Sequence, residues 1–194
     1  MYLLHAPSVV NSRILKLEWV PDERVQKYAI LSHRWRTEQG QEVTYTDSQV
    51  YPWRWRHKVW MKKLGAAKLS LASKQACTDG LDYIWIDTCC IDKSSSQELQ
   101  ESLESMYNWY QGAEVCYVYL SDVPRRNLED SRWFKRGWTL QELIAPRHSI
   151  FFDSTWKRLA TKASLAKIIS NITGVNAGFS VSSMLASFPN TAKA

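Results

Sequence analysis

The chain has 194 residues, 45% of them apolar, enough for one domain with a sizeable core and too apolar for a chain disordered by composition. No apolar run approaches the roughly 20 residues of a membrane span, and Met1–Val10 lacks the basic region and apolar stretch of a secretory signal. The net charge of +6 is local: residues 51–68 carry Arg54, Arg56, Lys58, Lys62, Lys63 and Lys68 and no acid, which suggests an anionic partner there, whether phosphate, nucleic acid or acidic lipid.

Tyr28–Ser32 (YAILS) reads as a short buried strand, followed by a polar and aromatic stretch to about Lys63. Leu64–Asp79 reads as a helix, with Leu64, Ala67 and Leu71 on one face and Gly80 as its stop. Tyr83–Asp87 (YIWID) is the next strand. Ser95 and Glu98 have capping-box spacing, and Leu99, Leu103, Met106 and Tyr110 then repeat at helical intervals up to Gly112. Val115–Leu120 (VCYVYL) is a third strand, Trp138–Ala145 a short helix ended by Pro146, Ser149–Phe152 (SIFF) a fourth strand, and Ala163–Ile172 a last helix. Asn176–Ala194, rich in Ser, Ala and Asn, reads as a linker, with further domains expected beyond it. Strands alternating with helices imply an α/β layer with a mostly parallel sheet, whose ligands bind beyond the carboxyl ends of the strands.

The four cysteines are Cys77, Cys89, Cys90 and Cys116. Their spacing fits neither a zinc site nor a disulfide framework, so reduced thiols in a cytoplasmic protein are expected, and no metal. Cysteine catalysis is disfavoured, because a thiol nucleophile needs a neighbouring base and no spacing selects one of the four histidines. Trp53–Trp60 interleaves basic and aromatic residues, a pattern that suits single-stranded nucleic acid or an acidic membrane. It also fits a solvated face whose tryptophans pack inward or meet another subunit. The second reading is favoured, so no specific nucleic-acid binding is expected.

Several segments in order resemble the heterokaryon-incompatibility (HET) family: YAILSHRW (28–35), DGLDYIWIDTCCIDKSSSQEL (79–99), MYNWYQGAEVCYVYLSDV (106–123), SRWFKRGWTLQELIAP (131–146), FFDSTW (151–156) and TKASLAKIISNITG (161–174). The resemblance implies a HET domain over residues 1–175, with its core at 28–175, and a tail at 176–194. It implies a fungal cell-death effector in non-self recognition, at the amino end of a receptor with nucleotide-binding and repeat domains. HET domains are in turn distantly similar to Toll/interleukin-1 receptor (TIR) domains, some of which cleave NAD. The implied fold is a three-layer α/β sandwich of about five strands, TIR-like or flavodoxin-like. The TIR pattern sets a tryptophan four residues before a glutamate at a helix start, and Trp138 and Glu142 have that spacing. No counterpart of the TIR loop after the second strand is found.

The expected chemistry is hydrolysis of NAD as substrate, with no resident cofactor and Glu142 as the catalytic carboxylate. Positive charge builds on the ribose as nicotinamide departs, and a carboxylate stabilises it; nicotinamide leaves neutral, so no general acid is needed. Trp138, on the same helical face, suits a cationic pyridinium. Arg34 suits a pyrophosphate, Ser32 can donate a hydrogen bond, Trp35 can stack on a base, His33 can orient a group and Asp87 can hold ribose hydroxyls. The bland alternatives are an amphipathic helix with a core tryptophan and Glu142 satisfied by Arg136 or Arg147, and Asp87 as a turn cap. The rival function is a non-enzymatic adaptor that signals by self-association.

Overall fold

The computed structural model describes residues 1–21, 26–49 and 55–173. In chain order its strands and helices are β1 (Tyr2–His5), β2 (Leu17–Trp19), β3 (Tyr28–His33), α1 (Tyr45–Ser48), α2 (Ala66–Thr78), β4 (Tyr83–Ile86), α3 (Ser96–Gly112), β5 (Val115–Tyr119), α4 (Thr139–Ile144), β6 (Ser149–Phe152), β7 (Arg158–Thr161) and α5 (Ala166–Thr173). All four strands read from the sequence are present. Three more, β1, β2 and β7, extend the sheet to seven strands in the order β2-β1-β4-β3-β5-β6-β7. The four central strands run parallel. The three flanking ones join antiparallel.

Central strands buried on both faces read as unbroken apolar runs, and every residue of β3 and of β5 is buried. From β3 the chain steps to β4 on one side, then crosses back over β3 to β5 and on to β6. Right-handed crossovers then place α2 and α3 on opposite faces. Trp85 of β4 packs on Trp109 and Tyr110 of α3, whereas Tyr117 of β5 donates a 2.6 Å hydrogen bond to Asp79 at the end of α2. The result is a three-layer sandwich in doubly wound, flavodoxin-like order, with its switch point between β3 and β5.

Local signals fix the helix ends. Gly80 stops α2 at φ +75°, a left-handed position that suits glycine. Ser95 caps α3 by accepting the Glu98 N–H, but the Glu98 carboxylate reaches back to the Asp92 N–H, so the capping box is only half made. A 3-10 helix spans Trp55–Lys62, and Trp60 within it is buried and donates to the Arg13 carbonyl, as the inward-packing reading of this segment expected for that residue. Trp53, Arg54 and the tail at 176–194 lie outside the described residues. No helix among the described residues is long and apolar enough to cross a membrane.

Candidate functional site

Pleat alternation sends Tyr28, Ile30 and Ser32 of β3 toward α3 and α4, and Ala29, Leu31 and His33 toward α2. Ser32 therefore meets Glu142 of α4. Its hydroxyl donates to Glu142 Oε2 at 2.5 Å and accepts the indole N–H of Trp133 at 2.8 Å. Arg136 closes the other side with a bidentate pair, Nη1 to Oε2 at 2.9 Å and Nη2 to Oε1 at 3.0 Å. Glu142 is only 3% exposed. Burial raises its pKa above the usual glutamate value, opposed by the Arg136 charge and the Ser32 hydroxyl.

Trp133 is held from below. Its ring stands edge-on to Phe134 and Phe151, and its backbone N–H donates to Ser131 Oγ. Ser131 Oγ in turn donates to Asp122, which also accepts the Arg132 N–H at 2.9 Å. Desolvation raises the Asp122 pKa, but the Arg132 N–H and the Ser131 hydroxyl outweigh it and hold the carboxyl below the usual range. Asp122→Ala should cost about 1–3 kcal/mol, because two donors lose a charged acceptor. A folded pKa below the unfolded one gives stability that is present above the ordinary aspartate pKa of about 3.9 and is lost as pH falls through the lowered value. The gap in melting temperature between wild type and Asp122→Ala should thus be full at neutral pH and narrow below about pH 4; a gap independent of pH would contradict the charge-based role.

Glu142 forms part of the wall of a cleft of about 360 Å³ shared with Arg34, Trp35, Asp87, Lys93, Arg136 and Trp138 and backed by apolar side chains of α3. Its size lies at the small end of the roughly 300–1,000 Å³ of small-molecule sites. Trp35 and Trp138 flank it as exposed aromatics, 43% and 47% accessible. Trp35 donates its N–H to Asp87 Oδ2 at 2.7 Å, and the Lys93 ammonium sits 3.9 Å over the Trp35 ring while donating to the Asp87 carbonyl. Burial raises the Asp87 pKa, with Lys93 and the Trp35 N–H opposing it. Trp138 precedes α4 at its N-cap position and shares the cleft with Glu142.

The sequence thus placed Arg34, Trp35, Asp87, Trp138 and Glu142 around one cleft. Ser32 lies behind Glu142 as its hydrogen-bond partner. His33 is buried behind Asp87, with its Nε2 3.7 Å from Asp87 Oδ1. Burial first, then the charges of Lys68, Arg136 and Lys93, hold His33 well below the usual histidine pKa, so it is neutral. Asp87 binds the Trp35 indole rather than capping its own turn. Of the two partners weighed for Glu142, Arg136 is the one that pairs. Sequence reasoning missed Lys93 and Trp133. Trp133 sits inside the quoted segment 131–146, but only the fold shows that its N–H meets Ser32, 101 residues away.

Cys89 and Cys90 are buried with their sulfurs 4.0 Å apart, and contact with Cys90 together with burial pushes the Cys89 thiol well up. Among the described residues no group of three or more His, Cys, Asp or Glu side chains is placed to hold a metal. A larger groove, about 560 Å³, runs between β2 and the start of α3, lined by Glu98, Glu101, Trp19 and Trp109. Its acids repel a phosphate-bearing ligand, whereas Arg34, Lys93 and Arg136 attract one to the smaller cleft.

The fold and the cleft define a doubly wound α/β domain with a largely apolar, aromatic-walled site, bordered by charged groups, at the carboxyl ends of its parallel strands. The heterokaryon incompatibility protein (HET) family profile matches residues 28–124, half of the chain, and the chain belongs to that family. It is 40% identical over 168 residues to the vegetative incompatibility protein HET-E-1 of Podospora anserina, a match covering 80% of this chain and 12% of that protein. The chain therefore spans about an eighth of that relative's length. No solved structure matches it.

Proposed function

We propose that this domain is the cell-death effector of a larger cytoplasmic incompatibility receptor and that it hydrolyses NAD. The observation that carries the reading is one cleft joining a buried carboxylate, two exposed tryptophans and three cations at the strand ends: Glu142, Trp35 and Trp138, and Arg34, Lys93 and Arg136. The nicotinamide–ribose C–N bond breaks with its electron pair going to the pyridinium nitrogen, which leaves neutral. Glu142 stabilises the oxocarbenium ion left behind. Water adds to that carbon and loses a proton, so NAD and water give ADP-ribose, nicotinamide and H⁺. Trp138 stacks on the pyridinium, Arg34 takes the diphosphate and Asp87 holds ribose hydroxyls.

A second reading has its own support: the Glu142 carboxylate is engaged by Arg136 and Ser32, as in a structural ion pair, which suits an adaptor acting by self-association. Incubating the purified domain at high concentration with NAD separates the two. Hydrolysis gives nicotinamide and ADP-ribose in equal amounts. Intact NAD, with killing retained in cells, would establish the adaptor.

A further inference from the structure

The two oxygens of Glu142 receive three donors: Ser32 Oγ and Arg136 Nη1 on Oε2, and Arg136 Nη2 on Oε1. A carboxylate so clamped is a poor partner for a ribose, because three of its roughly four acceptor positions are taken and its charge is already paired with Arg136. The Arg136 side chain has no other ion-pair partner among the described residues, and it borders the cleft. Its backbone is pinned on both sides, its N–H to the Trp133 carbonyl and its carbonyl by the Thr139 N–H. The neighbouring Gly137 opens on empty space, where a Cβ would meet nothing within 4 Å. With its backbone held, only side-chain rotation is needed to turn the partly exposed guanidinium from Glu142 toward the cleft it borders. Arg34, on the same cleft, has no carboxylate partner among the described residues. Planar guanidinium groups bind phosphate oxygens in the same forked geometry as carboxylates.

We propose that Arg136 is an exchangeable clamp: the diphosphate of a dinucleotide entering the cleft takes the Arg136 guanidinium from Glu142 and so unmasks the carboxylate only when substrate is bound. The inference rests on the NAD reading of the cleft and adds to it a regulation of the same residue. The resting pair holds Glu142 idle. Anion binding beside Arg34 and Arg136 makes it available to the ribose at the moment the pyridinium arrives.

The test is ADP-ribose binding by calorimetry to wild type, Glu142→Gln, Arg136→Ala and the double variant, each checked by a thermal melt. Glu142→Gln should bind about tenfold more tightly than wild type, because the guanidinium no longer has to be drawn from a charged partner. Arg136→Ala should weaken binding more in the Glu142→Gln background than in wild type, by a similar factor. Additive effects, a Glu142→Gln affinity equal to that of wild type, or no ADP-ribose binding by wild type would each overturn the clamp. Should a variant not fold, a crystal structure of wild type with ADP-ribose decides: the Arg136 guanidinium on the diphosphate supports the exchange, and the guanidinium still on Glu142 with ADP-ribose in the cleft overturns it. These readouts are independent of turnover. A wild type that passes them but releases no nicotinamide refutes hydrolysis and leaves the clamp; one that turns over NAD with additive binding effects refutes the clamp and leaves hydrolysis.

Discussion

Glu142→Gln is expected to release nicotinamide about 10²–10³-fold more slowly than wild type, the range typical of removing one preorganised electrostatic group. The substitution keeps size and shape, and the amide oxygen can still accept from Ser32 or Arg136. What goes is the negative charge opposite the developing oxocarbenium ion. Arg136 retains some hydration, its side chain being 19% exposed, so its loss of a charged partner should cost only about 1–3 kcal/mol. The variant should therefore fold, melt slightly lower and fail to kill cells. A folded Glu142→Gln protein with wild-type release would remove Glu142 from the chemistry.

Trp133→Ala should be among the most damaging single changes for stability. The indole is fully buried, packs edge-on against Phe134 and Phe151, and donates its N–H to Ser32. Truncating a buried tryptophan costs about 3–5 kcal/mol, a large part of the roughly 5–15 kcal/mol that holds a domain together. For a chain of this length the melting temperature should fall by on the order of 10 °C, if the protein folds at all. Trp133→Phe, which keeps most of the packing and loses only the N–H, should cost about 0.5–1.5 kcal/mol for that hydrogen bond plus a small cavity penalty. Equal melting of wild type and Trp133→Ala would contradict the role of this side chain as the floor of the site.

The centre of the fold was legible because burial on both faces writes a strand as an unbroken apolar run, as in Tyr28–Ser32 and Val115–Leu120. The edges were not. Residues of β7 are exposed or half-buried and carry no run, and Tyr2–His5 becomes a strand only by pairing with β2 and β4. Trp138 and Glu142 could be linked because helical spacing is local. The pairing of Ser32 with Glu142, 110 residues apart, was beyond any periodicity, though the rule that ligand sites gather at strand ends brought both to the same region. His33 shows the limit of that rule: it follows Ser32 directly, and the period-two pleat turns it to the opposite face, behind Asp87.

If the domain hydrolyses NAD, substrate binds in the cleft beside α4 with its scissile bond at Glu142. A crystal structure of Glu142→Gln soaked with NAD, in which substrate persists because turnover is slow, should show the nicotinamide ribose against residue 142, the pyridinium on Trp138, and the diphosphate on Arg34 and Arg136. NAD bound elsewhere on the domain, or an empty cleft at saturating NAD with Arg136 still turned toward residue 142, would contradict it.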